Sequence, residues 1–305
     1  MNPFLALLEG ARPFLLDGGL ATELEARGAD LSDELWSGRV LLDDPEAIYR
    51  VHRDFLAAGA RVITTASYQL SNAALRRRGL NDTVIAEVWA RSIRLARRAR
   101  DDGAMGRVIA IAGSLGSFGA CRGGGAEYRG DYALTETEAW DFHRPRARAL
   151  LEDSEACDVL AFETMPQFAE IRGVARGLGA DGLGPAWLSF SVDATGRNLA
   201  DGTPLREVAE MLRAEASVVA WGVNCCHPDQ VAPALEELRI PAAKPRLAYP
   251  NSGEVWRDHR WYEGRGAGDL PGWIARWLAL GVLGIGGCCR TTPGDLKVWD
   301  RILGT

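Results

Sequence analysis

The sequence predicts a single-domain (β/α)8 barrel spanning residues 1–305. Three observations lead to it. Eight short apolar runs recur along the chain, separated by segments with helical periodicity. Most of these runs lack strict polar–apolar alternation, as strands covered on both faces do. Polar and thiol-bearing residues gather where the runs end, and a parallel barrel brings all such ends to one face. An open doubly wound sheet is the competing arrangement, and the count of runs favours the barrel.

The predicted strands are Phe14–Leu16, Arg61–Thr65, Val108–Ala112, Val159–Phe162, Ala186–Val192, Val218–Val223, Arg246–Tyr249 and Val282–Ile285. Between them, Pro45–Ala58 reads as a helix with Asp44 as N-cap, proline at its first position and Gly59 as its stop. Ser71–Arg100 reads as one long helix. Its Arg76-Arg77-Arg78 run fits a solvated surface better than a nucleic-acid patch. Thr135–Glu155 is helical in pattern, but Pro145 predicts a kink or break. Gln167–Leu178, Pro204–Ala214, Pro228–Leu238 and Pro271–Leu280 complete the alternation. No linker or repeat divides the chain, and Gly123–Gly125 reads as a loop.

Composition narrows the class. A net charge of −6 gives no general attraction to nucleic acid or anionic membranes. No long uncharged apolar segment suggests a membrane span. The first residues lack a basic stretch before the first strand, so no signal peptide is expected and the cytoplasm is the expected compartment. Six cysteines in 305 residues do not make a dense disulfide scaffold; reduced thiols or metal ligands are expected.

The strand ends carry the chemistry: Asp17-Gly18-Gly19, Thr64 to Gln69, Glu163-Thr164-Met165, Asn224-Cys225-Cys226 and Gly286 to Arg290. Cys225 alone would read as a small buried hydrophobe. The adjacent pair Cys288-Cys289 changes that reading, because neighbouring cysteines are poorly placed to bond each other. Both can ligate one metal if the chain turns sharply, which Gly286-Gly287 would permit. With Cys225 this makes three thiolates, a zinc-type donor set that leaves one position open, as catalytic sites do. Cys226 should point away from Cys225 if the strand continues. His227 reads as a helix-start residue. Asp17 and Glu163 end buried-looking strands, where an unpaired charge is costly. They are either salt-bridged to arginine or acceptors for a ligand ammonium, with Gly18 and Gly19 letting backbone N–H groups approach a carboxylate.

These residues lie in the motifs DGGLATEL at Asp17, ITTASYQ ending at Gln69, EYRGDY ending at Tyr132, ETMP at Glu163, GVNC ending at Cys225 and GGCCRTTP around Cys288. In this order and over nearly the whole chain, they resemble the zinc-dependent homocysteine S-methyltransferases, particularly those using S-methylmethionine or S-adenosylmethionine. The resemblance implies Zn2+ on Cys225, Cys288 and Cys289, and Asp17 and Glu163 on the amino group of homocysteine. Asn224 and Gly18 fall in the same motifs and join the substrate-binding set. A betaine-using branch implies that Tyr68 meets the metal when substrate is absent; a core aromatic is its other reading. Cys226 departs from the family pattern.

The expected reaction is methyl transfer from a sulfonium donor to a metal-held homocysteine thiolate. Trp36 and Tyr132 are candidates to face the donor cation. Betaine as donor, selenocysteine as acceptor, and a non-enzymatic zinc or redox protein stay open. A zinc hydrolase is disfavoured, because three thiolates lower the metal's Lewis acidity. Oligomeric state leaves no signature in the sequence.

Overall fold

All eight predicted barrel strands form, and their side-chain register explains why the sequence alternation was weak. The computed structural model describes residues 1–31, 35, 37–104, 106–151, 156–241, 244–253, 255–257, 260–262 and 270–304. The strands are β1 (Phe14–Leu15), β2 (Val62–Thr64), β3 (Ala110–Gly116), β4 (Val159–Met165), β5 (Ala186–Phe190), β6 (Val218–Asn224), β7 (Arg246–Tyr249), β8 (Val255–Arg257), β9 (Arg260–Tyr262) and β10 (Val282–Ile285). Eight pair in parallel in the order β1-β10-β7-β6-β5-β4-β3-β2. A parallel bridge between Leu16 and Val62 brings the two edges together, and Arg61 N–H donates to the Leu15 carbonyl at 2.8 Å. The sheet is a barrel, not the open competitor. β8 and β9 form a separate antiparallel hairpin, an insertion after β7 that the sequence pattern did not announce.

Two apolar layers share each strand. Phe14, Leu16, Val62, Ala110, Ala112, Val159, Ala161, Trp187, Ala220, Leu247 and Tyr249 fill the barrel interior. Leu15, Ile63, Ile111, Leu160, Phe162, Leu188, Trp221, Val223 and Ala248 pack outward against the helices. Alternate residues thus face opposite sides, yet both sides are apolar, which erases the period-2 signal. Large residues sit beside alanines so that the interior fills without overlap. The same inward register, continued upward, carries Ser114, Glu163, Ser189, Asn224 and Tyr249 toward the C-terminal face.

The first residues do not run straight into β1. They form the helix Pro3–Glu9, capped by Asn2. Its Phe4 is fully buried against Phe14 and Trp187, with ring centroids 6.4 and 5.2 Å apart. The helix plugs the lower mouth of the barrel. The long helix read over 71–100 is two, Asn72–Arg77 and Asp82–Gly103. Gly79 lies between them at φ +78, and the Asn81 side chain caps the second. Left-handed glycine after a helix ends it more firmly than periodicity continues it. Arg76 and Arg77 close the first helix, exposed. Conversely, Glu136–Ala149 runs through Pro145. A capping box at Thr135 and Glu138 holds one end, and buried Arg146, bonded to three carbonyls, anchors the other side of the proline. Among the described residues no helix is long and apolar enough to cross a membrane.

Candidate active site

The Sγ atoms of Cys225, Cys288 and Cys289 lie within 4.8 Å of one another, and those of Cys225 and Cys289 are 3.7 Å apart. Two ligands on a tetrahedral zinc with bonds of about 2.3 Å would be separated by about 3.8 Å. The three thiols therefore suit a zinc ion by spacing and by softness. All six cysteines are free thiols. Hydrogen bonds from Cys288 and Cys289, with Tyr128 adding to them, hold the Cys225 thiol well below its ordinary range. Cys288 is pushed well up, because its S–H donates a hydrogen bond to Cys225 and so keeps its proton. Cys289 is pushed well up by its bond to Cys225 as well, so thiols this close oppose a second and third ionisation unless a cation joins them. Cys226 faces the other way, in the outer apolar layer, where burial raises its pKa. His227 caps the helix Pro228–Glu237 and binds Asp229 at 2.6 Å.

Backbone geometry aims these groups. Cys225 has φ +52, Arg290, just after Cys288-Cys289, has φ +65, and Thr164, just after Glu163, has φ +56. A left-handed L-residue costs about 1–2 kcal/mol, and such strain is concentrated at functional sites. Gly286 and Gly287, expected to supply the turn, are not left-handed. They are glycine because of crowding. A Cβ on Gly286 would lie 2.6 Å from the Leu16 Cβ, and one on Gly287 would lie 2.2 Å from the Thr291 side chain. Gly18 is similar, with the Phe55 ring and the Thr291 carbonyl each 2.7 Å from its missing Cβ. The N–H of Gly19 is already given to Thr291 at 3.1 Å, so it is not held out for a carboxylate.

Asn224 is 2 % exposed and spends both ends of its amide on Thr164. Its Oδ1 accepts from Thr164 N–H at 2.9 Å and its Nδ2 donates to Thr164 Oγ1 at 2.8 Å. It stabilises the left-handed turn beneath Glu163, a role the motif did not reveal. Asn224→Ala leaves the buried Thr164 N–H without its acceptor and is expected to cost about 1–3 kcal/mol, read as a lower denaturant midpoint at unchanged slope.

Asp17 and Glu163 are 5 and 6 % exposed, and among the described residues neither has an ion-pair partner. Asp17 Oδ2 accepts from Thr64 N–H at 2.7 Å and from its hydroxyl at 3.0 Å. Glu163 accepts from the Ser114 hydroxyl. Burial pushes Asp17 up to about 8, opposed by the Thr64 bonds and reinforced by Glu163. Burial likewise pushes Glu163 up to about 7, against bonds from Ser114 and Tyr249. Two nearby acids that resist ionisation without a cation are suited to receive one.

The aromatic residues divide sharply. Tyr68 lies close enough to Cys225 and Cys288 for their charge to raise its pKa, after burial. Its main-chain carbonyl is fixed by Gly116 N–H and by Arg146, both at 2.9 Å. Tyr132 is drawn elsewhere. Its hydroxyl donates to Glu170 at 2.5 Å and its ring lies against Phe118, 5.5 Å between centroids. Trp36 lies outside the described residues. The unexpected neighbour is Tyr128, whose hydroxyl is 3.0 Å from Cys225 Sγ. Glu127 beside it is buried, and burial raises its pKa. Both belong to the EYRGDY motif, but nothing in the sequence distinguished Tyr128 from Tyr132.

The profile of the family described as Homocysteine S-methyltransferase matches residues 14–303. A homocysteine S-methyltransferase of Escherichia coli (strain K12) is 42% identical over 306 residues, covering 97% of this chain and 96% of its own. A selenocysteine Se-methyltransferase of Brassica oleracea var. italica is 38% identical, covering 95% of this chain and 88% of its own. The crystal structure of a homocysteine methyltransferase from Escherichia coli in its metallated form superposes with a TM-score of 0.86 at 40% identity, covering 98% of this chain and 99% of that one. The barrel, the thiol cluster and these relatives agree: the chain is a methyltransferase and belongs to the homocysteine S-methyltransferase family.

Proposed function

We propose that the protein transfers a methyl group from a sulfonium donor, S-methylmethionine or S-adenosylmethionine, to L-homocysteine, giving methionine, with zinc held by Cys225, Cys288 and Cys289. The observation that carries this reading is the spacing of the three sulfurs beside two buried, unpaired carboxylates. Zinc, when bound, supplies an open position that keeps an acceptor thiol deprotonated near neutral pH.

The chain's own residues do the rest. Asp17 and Glu163 take the ammonium of homocysteine and so set the direction of its thiol. Thr64, Ser114 and Tyr249 hold the two carboxylates in place, and Asn224 supports the turn after Glu163. The acceptor sulfur forms a bond to the methyl carbon as the donor's carbon–sulfur bond breaks. A thiolate and a sulfonium become two neutral thioethers, so the site needs no general acid. With S-methylmethionine both products are methionine. The free cysteines fit a reducing compartment, and we assign the protein to the cytoplasm.

The test is methionine formation from homocysteine with each sulfonium offered separately, on zinc-loaded and zinc-stripped protein. Turnover confined to the loaded protein is the expected result, and the two rates rank the donors. No turnover with either donor at full zinc occupancy would sink the reading, with betaine the next donor to try. The Brassica relative favours a second reading, selenocysteine as acceptor, because the same site would hold a selenolate. Competition between homocysteine and selenocysteine for a limiting donor separates the two.

A further inference from the structure

The EYRGDY segment brings an unassigned carboxylate to the sulfur cluster. Glu127 is 9 % exposed, and among the described residues its buried Oε2 has no hydrogen-bond partner. It sits on the short turn Ala126–Tyr128, close enough to Tyr68, Tyr128, Cys225 and Cys289 to interact with each by charge. The nearby cation acts on it by charge but makes no bond to it among the described residues. Arg129 is committed to Asp131 and to the Gly124 carbonyl, each at 2.8 Å. A buried carboxylate oxygen with no partner carries a desolvation cost that a bound cation would offset.

Tyr128 completes the setting. Its hydroxyl reaches Cys225 while the residue as a whole stays 46 % exposed. The residue therefore spans from the sulfurs to solvent. Tyr132 is 5 % exposed and bonded to Glu170, so it cannot take this place without breaking a buried network.

We propose that Glu127 and Tyr128 form the methyl-donor subsite, with the Glu127 carboxylate as counter-charge to a sulfonium and the Tyr128 ring as the wall it lies against. The subsite rests on the sulfonium reading above. It selects a cationic thioether derivative over its neutral parent, because the carboxylate gains a partner only from the cation, and an aromatic face adds attraction for the same charge. Once the methyl group has left, the donor is neutral, the attraction ends and the product is released.

Calorimetric titration of S-methylmethionine into the zinc-loaded full chain, without acceptor so that no reaction occurs, measures this directly, with methionine as the neutral comparator. The wild type is expected to prefer the sulfonium. E127Q is expected to weaken S-methylmethionine binding and raise its KM by about tenfold or more, with methionine binding, homocysteine KM and zinc content unchanged. Y128L is expected to weaken the same binding by a few-fold, about 0.5–1 kcal/mol or somewhat more. Should E127Q fail to fold, E127D keeps the charge but draws it back, and is expected to weaken the sulfonium alone. An unchanged preference for the sulfonium in E127Q, or in E127D where E127Q does not fold, overturns the subsite while leaving the reaction standing. If the wild type neither binds nor turns over any sulfonium, the reaction and the subsite fall together.

Discussion

Cys225→Ala is expected to abolish methyl transfer and to lower bound zinc well below one ion per chain. The variant removes one of three sulfurs that lie within 4.8 Å of one another. It also removes the thiol that its cysteine neighbours and Tyr128 hold well below its ordinary pKa range. Two remaining thiols on one tight turn make a weaker site, and metal affinity falls with each lost ligand. An acceptor thiol left unbound has a pKa near about 8.5, so only a few per cent is thiolate at neutral pH. Loss of an activated nucleophile and its support together predicts a drop of about 10³-fold or more in kcat/KM. Zinc content by atomic absorption and single-turnover methionine formation check the two halves separately. Cys226→Ala is the control. Its side chain lies in the outer apolar layer, so zinc and turnover should persist. A variant of Cys225 that keeps full zinc and activity would contradict the assignment of the ligand set.

The second large effect belongs to the paired carboxylates. Asp17→Asn or Glu163→Gln leaves a buried ammonium with half its counter-charge, which costs about 2–5 kcal/mol. The homocysteine KM should therefore rise by about 30-fold to several thousand-fold, with the donor KM little changed. Protonation supplies an independent check. Folded Asp17 titrates at about 8 and Glu163 at about 7, both above their unfolded values. Only the ionised pair holds the ammonium, so the homocysteine KM of the wild type should fall as pH rises from 6 to about 8. The empty protein behaves oppositely. A carboxylate with a raised folded pKa contributes stability that is complete below the unfolded value and lost as pH climbs through the folded one. Asp17→Asn removes that loss. Its melting temperature should match the wild type near pH 4 and exceed it increasingly toward pH 9. A wild-type advantage at pH 9 would refute the unpaired-carboxylate account.

The Glu127 variants divide the two substrates differently. They are expected to act on the donor, whereas Asp17 and Glu163 act on the acceptor. Opposite patterns of KM in the two sets would place two substrate subsites on either side of one sulfur cluster.

The barrel was legible because its cause is local. Each strand needs a run of apolar residues and each helix an apolar stripe, and those patterns survive in one dimension. The cysteines were legible for a related reason. Adjacent Cys288-Cys289 at one strand end and Cys225 at another admit few explanations in a parallel barrel. Asp17 and Glu163 stood out because a charge at a buried strand end requires a purpose. What failed to show had two causes: a left-handed Gly79 split one helix locally, while Arg146 secured another across Pro145 through carbonyls far away in sequence. The helix Pro3–Glu9 had to await Phe14 and Trp187, since nothing in its own sequence says that Phe4 closes the barrel floor.

By itself, then, the sequence determined the fold class and singled out the three thiols and the two buried acids as candidates, because periodicity, charge and residue chemistry are properties of the chain. Only the tertiary structure decided which neighbours those groups meet. It turned Asn224 to Thr164, sent Cys226 outward, gave Tyr132 to Glu170, and brought Tyr128 and Glu127 to the sulfurs. These outcomes depend on strand register around a closed sheet and on left-handed backbone at Thr164, Cys225 and Arg290, where a rotation of one residue redirects a side chain by nearly half a turn. No pattern along the chain encodes that rotation; it is set by contacts between strands far apart in sequence.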